Sequence, residues 1–193
     1  MVVAGFALGA RDLPRLSELG VKDSKQLSPA RREAMAPKLE VLAAGIHRVE
    51  LSPAELDKGN LTDLELEAFA QCILALKPAA VYADAPVGPR AIPRFRARLL
   101  ERLAPFSTEL VLENRADVRF PVVSAASILA KVRRDLRIAE LKGIHGEIGS
   151  GYPGDPVTRR FLIAWQERHG GPPPMARTRW ATFNKLSQRH FAF

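Results

Sequence analysis

Apolar and polar positions along this chain switch repeatedly between a strand-like and a helix-like period. Residues 2–8 form a short apolar run that predicts a strand buried on both faces. Ser28-Pro29 predicts the start of a helix reaching to about residue 44, with the serine as N-cap and the proline at the first helical position. Pro37 is expected to kink or divide that helix. Residues 46–51 alternate like a half-exposed strand. Ser52-Pro53-Ala54-Glu55 and Thr62-Asp63-Leu64-Glu65 both have capping-box spacing, in which hydroxyl and carboxylate each satisfy a free backbone donor. The second box heads a helix with Leu66, Phe69, Ala70, Ile73 and Leu76 on one face and a stop at Lys77-Pro78.

Residues 79–84 predict a second buried strand, and it ends on an acid, Asp84. A strongly basic amphipathic helix follows over 92–103, a third strand around 110–112, and a long helix over 122–141. Strands alternating with helices point to an α/β sheet. Gly149-Ser150-Gly151-Tyr152-Pro153-Gly154-Asp155-Pro156 is a loop dense in turn residues. Two further helices, near 157–168 and 178–190, are separated by Gly170-Gly171-Pro172-Pro173-Pro174 and read as a small helical appendage.

Size and charge narrow the picture. The chain has 193 residues, enough for one domain with a sizeable core. No apolar run approaches the roughly 20 residues of a membrane span. The amino terminus shows no basic segment or cleavage site of a secretory signal, so a cytoplasmic protein without membrane contact is expected. The single cysteine, Cys72, has no internal partner and falls on the apolar side of a predicted helix, as a buried structural thiol does. The formal charge is +8, and residues 1–114 balance 15 Lys+Arg against 15 Asp+Glu. All the excess therefore sits in residues 115–193. A solvated basic face and a nucleic-acid surface are both compatible with it.

Chemistry concentrates at a few positions. Asp84 stands at the carboxyl end of a buried strand, where α/β sheets bind ligands, so it either meets a metal or substrate or serves as a capping or turn aspartate. Asp117 lies just before the long helix. It either complements the positive end of that helix or joins Asp84 around a hard divalent cation, which favours carboxylate oxygens. Pro121 suits the first turn of the helix, and small residues over 124–130 let it pack closely. Tyr152, in the glycine-rich loop, either stacks on a base or sugar or anchors the loop to the core. Lys25 and Lys131 have the reach to contact phosphates. Trp165 and Trp180 fall on apolar faces of the terminal helices and are expected in the core. His47, His145, His169 and His190 have no metal-ligand spacing, and no nucleophile elbow, Walker or dinucleotide pattern occurs.

Asp23-Ser24-Lys25-Gln26-Leu27-Ser28, Tyr82-Ala83-Asp84-Ala85, Ala116-Asp117 with residues 120–131, and Gly149-Ser150-Gly151-Tyr152-Pro153 occur in one order. Taken together they resemble ribonuclease HII, the type 2 ribonuclease H family, in its archaeal-like branch. The resemblance implies a ribonuclease H-like mixed sheet flanked by helices, with a core over 1–144 and a loop and helical C-terminal region over 145–193. It implies an endonuclease that cuts the RNA strand of RNA–DNA hybrids, and cuts at ribonucleotides embedded in duplex DNA, with Mg²⁺ or Mn²⁺ held by four carboxylates. A monomer is expected, with any protein partner left open. Asp84 and Asp117 match two of those four. Tyr152 matches the tyrosine at the ribonucleotide sugar, and Lys25, Ser127 and Lys131 match polar positions that contact phosphate or support the site.

One departure stands out. The family's first strand carries Asp-Glu-Ala-Gly-Arg-Gly, the source of the other two carboxylates, and this chain has no such segment. In the family that strand lies between those matching residues 2–8 and 79–84. The expectation is therefore a natural product that starts upstream, with Met1 an internal methionine, and a chain of doubtful activity as written. Two alternatives stand beside this reading. One is a non-catalytic RNA- or DNA-binding protein of the same descent, and the other is a metal-dependent nuclease or transferase elsewhere in the ribonuclease H-like superfamily.

Overall fold

The computed structural model describes residues 1–21 and 27–178. Four strands and eight α-helices are formed there. Strand β1 (Val2–Ala7) pairs antiparallel with β2 (Gly45–Glu50), Val2 opposite Glu50 and Ala7 opposite Gly45. Strand β3 (Ala80–Asp84) pairs parallel with β4 (Glu109–Glu113), which sets Asp84 beside Glu113. Among the described residues no ladder joins the two pairs. No described helix is long and apolar enough to cross a membrane.

The chain forms two compact units. Of the described residues, the larger comprises 2–21, 27–50 and 61–133. It holds both strand pairs with α1 (Leu13–Glu18), α2 (Pro29–Leu42), α4 (Leu61–Leu76), α5 (Ile92–Leu103), α6 (Ala116–Arg119) and the first turns of α7 (Pro121–His145). Two apolar clusters fill it. Leu16, Met35 and Leu39 meet Ala125, Ile128 and Leu129 of α7, and Leu66 and Ile73 of α4 meet Phe95, Leu99 and Leu103 of α5 and Leu110 and Leu112 of β4. Each fully buried leucine contributes about 1.5–3 kcal/mol. Helix α4 also lies on β1 and β2. Gly5 permits that approach, because a Cβ there would sit 2.8 Å from Leu76 Cδ1.

The smaller unit holds Met1, residues 51–60 with α3 (Pro53–Lys58), and residues 134–178, including the rest of α7 and α8 (Pro156–His169). The capping box at Ser52 is complete: Glu55 Oε2 accepts the Ser52 N–H at 2.7 Å and Ser52 Oγ accepts the Glu55 N–H at 3.2 Å.

Several expectations need correction. Every residue of β1 is half-buried rather than buried on both faces, since its ribbon is only two strands wide. Helix α2 runs unbroken through Pro37; the proline forfeits one backbone bond, and burial of Met35, Ala36 and Leu39 holds the helix together. Helix α4 begins at Leu61, so Thr62 lies inside it and does not cap it. The long helix extends to His145 rather than 141. Trp165 is half-buried, stacked on His169 with ring centroids 4.2 Å apart. Lys25 and all but the first residue of the helix expected near 178–190, with Trp180 and His190, lie outside the described residues.

Candidate active site

Asp84 closes β3, and the chain after β4 returns to it. Asn114 Nδ2 donates to the carbonyls of Ala85 at 3.2 Å and Val87 at 2.8 Å, which ties the end of β4 to the segment after β3. Arg115 then turns the backbone in a left-handed conformation, φ 61°. The turn brings its own N–H to Asp84 Oδ1 at 2.7 Å and the Ala116 N–H to the same oxygen at 3.4 Å. Among the described residues both bonds fall on Oδ1, so Oδ2 keeps its lone pairs for another ligand.

Helix α6 starts from that turn and packs on β3. Phe120, which ends it, lies against Tyr82 of β3 with centroids 4.8 Å apart. Asp117, in the first turn of α6, is only 4% exposed, and its Oδ1 is buried with no hydrogen-bond partner. A buried carboxylate oxygen left bare is costly unless a cation or donor meets it. Asp84 and Asp117 thus come from adjoining elements, one with a spare oxygen and one with an orphaned one. That donor set suits a hard divalent cation. Among the described residues no group of three or more His, Cys, Asp or Glu side chains gathers to hold a metal ion.

On α7 the Lys131 Nζ donates to Ser127 Oγ at 3.1 Å, one helical turn away. Ser124, Ala125, Ile128 and Leu129 are buried on the same helix. The small residues let α7 close on its neighbours while Ser127 and Lys131 stay partly accessible. Cys72 is buried, and burial pushes its thiol up to about 11, which removes it as a nucleophile at neutral pH.

In the smaller unit the glycine-rich loop is held from within. Gly149 and Gly151 have φ of 72° and 75°. A Cβ at Gly149 would lie 2.5 Å from Thr158 Oγ1, so only glycine fits. Asp155 caps α8 through Val157 N–H at 2.9 Å and also accepts the Ser150 N–H at 2.6 Å. Those bonds, the Ser150 ones foremost, hold its carboxyl well below the usual range. Thr158 Oγ1 accepts the Gly151 N–H at 3.0 Å and donates to the Ile148 carbonyl at 3.0 Å. The loop presents Tyr152 at 53% exposure, with the Arg134 guanidinium over its ring.

The elements that carry Asp84 and Asp117 therefore adjoin, and Ser127 and Lys131 are hydrogen-bonded, while Tyr152 belongs to the other unit. The sequence reading missed Asn114, the Arg115 amide, Arg134 and the second task of Asp155. Only Asp155 carried a signal, an acid directly before a helix-starting proline.

Comparison with known proteins agrees with this architecture. A family model described as ribonuclease HII matches residues 1–183. The ribonuclease HII of Thermococcus onnurineus is 42% identical, over 98% of this chain and 84% of that protein. The crystal structure of ribonuclease H2 from Pyrococcus horikoshii superposes with a TM-score of 0.86 at 33% identity, covering 100% of both chains. The Archaeoglobus fulgidus RNase HII, solved as a complex with PCNA, gives a TM-score of 0.84 at 38% identity over 96% of this chain and 88% of that one. With a whole-length family match, these identities and the α/β fold in agreement, the chain belongs to the ribonuclease HII family of endoribonucleases.

Proposed function

We propose that this protein hydrolyses phosphodiester bonds in the RNA strand of RNA–DNA hybrids and at ribonucleotides embedded in duplex DNA. Asp84 and Asp117 hold Mg²⁺ or Mn²⁺, Tyr152 meets the ribonucleotide sugar, and Lys25, Ser127 and Lys131 support the substrate phosphates. The observation that carries this reading is the buried, unpartnered Oδ1 of Asp117 on a helix packed against the strand that ends in Asp84. A bound divalent ion supplies the charge that activates a water and stabilises the leaving 3′-oxygen. The chain's own part is to fix the two carboxylates, Asp84 by the Arg115 amide and Asp117 by burial. Tyr152 fits a contact at the 2′-hydroxyl, the group that distinguishes RNA from DNA.

Two carboxylates are half of the four that the family resemblance implies. The 193-residue chain should then bind the substrate yet cut it far more slowly than a chain with the full set. Cleavage of a duplex bearing one ribonucleotide is the test, run on the 193-residue chain and on a version extended at its amino end by a strand containing Asp-Glu-Ala-Gly-Arg-Gly. Mg²⁺- or Mn²⁺-dependent cutting by the extended form, abolished by Asp84→Asn or Asp117→Asn, supports the reading. An extended form that binds the duplex but never cuts would overturn it, and rapid cutting by the short form would remove the four-carboxylate requirement. The non-catalytic alternative predicts salt-sensitive binding by both forms and no response to divalent ions.

A further inference from the structure

Tyr152 is exposed on a loop, yet its ring is not left to turn freely. The Arg134 guanidinium carbon lies 4.2 Å from the ring centroid, and Arg134 Nη1 donates to the Tyr152 hydroxyl. Arg134 is itself held: Nη2 meets Asp135 Oδ1 at 2.7 Å. Its Nε is buried without a partner among the described residues, so the group is partly desolvated, where a cation–ring contact is stronger than in water. The loop is pressed onto the same helix, because a Cβ at Gly151 would lie 2.6 Å from Ile138 Cδ1.

This arrangement has two chemical consequences. A cation on one face of the ring blocks that face and leaves the other open to a ligand. A hydroxyl that already accepts a bond from Arg134 has its own O–H free to donate outward. We infer that Arg134, anchored by Asp135, is a positioning residue that presents Tyr152 as a hydrogen-bond donor with one open face, and so sets the discrimination of ribonucleotide from deoxyribonucleotide. The inference rests on the proposed contact of Tyr152 with the ribonucleotide sugar.

The test measures the affinity of the 193-residue chain, without divalent ions, for duplex DNA containing one ribonucleotide and for the all-DNA duplex. The ratio of the two dissociation constants is the readout. Arg134→Ala should reduce that ratio by about five- to tenfold, the scale of one guanidinium–ring contact. Arg134→Lys restores the charge and the all-DNA affinity but not the ratio, because it lacks the planar fork. A charge that only meets phosphate would weaken both duplexes alike and leave the ratio intact, and that outcome would overturn the assignment. Tyr152→Ala separates the two claims. If it leaves the ratio unchanged, or the unsubstituted chain shows no discrimination, the Tyr152 reading falls and takes this inference with it. If it collapses the ratio while Arg134→Ala does not, the role of Arg134 alone is refuted. The contact has its own check, since the chain contains two tyrosines and ring-labelled protein gives two resolvable signals. Arg134→Ala should shift the Tyr152 signal and spare that of Tyr82; an unmoved Tyr152 signal contradicts the geometry.

Discussion

Asp84 and Arg115 are bound side chain to backbone: Asp84 Oδ1 accepts the Arg115 N–H at 2.7 Å, across the gap between the end of β3 and the turn after β4. One carboxylate thus serves as candidate metal ligand and as clasp for the turn that delivers Asp117. The two tasks separate by substitution. Asp84→Asn keeps a carbonyl oxygen for the amides but loses the charge, and should cost no more than about 1 kcal/mol of stability while abolishing any divalent-ion response. Asp84→Ala loses the clasp as well, and hydrogen bonds to a charged group are worth about 1.5–3 kcal/mol. Urea unfolding of both variants decides it, and equal losses for the two would show that the clasp does not matter.

Arg115 sits at φ 61°, a region where an L side chain costs about 1–2 kcal/mol and glycine nothing sterically. Glycine adds unfolded-state entropy of about 0.5–1 kcal/mol, so Arg115→Gly should leave stability unchanged or raise it by up to about 1.5 kcal/mol. Arg115→Val, β-branched in the same conformation, should lower it by about 1–2 kcal/mol or more. Thermal melts of the pair test this, and a glycine variant less stable than the valine one would rule the strain out.

Much of this was readable wherever the signal is local. The bounds of α5, Ile92–Leu103, follow from its period and Pro93, and the Ser52 capping box from four consecutive residues. The end of β3 at Asp84 is marked by an apolar run giving way to an acid. The rest depends on partners distant in sequence. Nothing in Asn114-Arg115-Ala116 announces a positive φ, since arginine is not a turn former; the conformation is imposed by Asp84, 31 residues away. Arg134 and Tyr152 are 18 residues apart and meet only because the loop folds back on α7. The buried face of α7 was legible from its small residues, whereas the orphaned oxygen of Asp117 is a property of the packed site.

Asp155 makes a pH prediction. Its carboxyl is held below the usual range by the Ser150 bonds first and the Val157 N–H next. A group depressed in the folded state contributes stability that is fully present above its unfolded value, about 3.9, and that fades as pH falls through the folded value. Asp155→Asn should therefore be less stable than the unsubstituted chain at pH 7, and the gap should narrow as pH drops below about 4. Urea midpoints for both proteins between pH 7 and pH 3 measure it. A gap that stays constant or widens on acidification contradicts the assignment.

Asp117 supplies the sharpest test of the metal site, because it needs no catalysis. Its unpartnered, buried Oδ1 carries a desolvation cost of about 1–3 kcal/mol. Its favourable place in the first turn of α6 returns only about 0.3–1 kcal/mol. Asparagine keeps a buried oxygen in the same place and removes only the charge, so without divalent ions Asp117→Asn should be at least as stable as the unsubstituted chain. Divalent ions should favour the unsubstituted chain. At ten times its dissociation constant an ion that binds only the folded state adds about 1.4 kcal/mol, a rise of about 3–6 °C in Tm for a chain this size. Melting curves in Mg²⁺ or Mn²⁺, against NaCl of equal ionic strength, should show that rise for the unsubstituted chain and none for Asp117→Asn. The same ion-dependent rise in both proteins would place the cation elsewhere and leave the orphaned oxygen without a ligand.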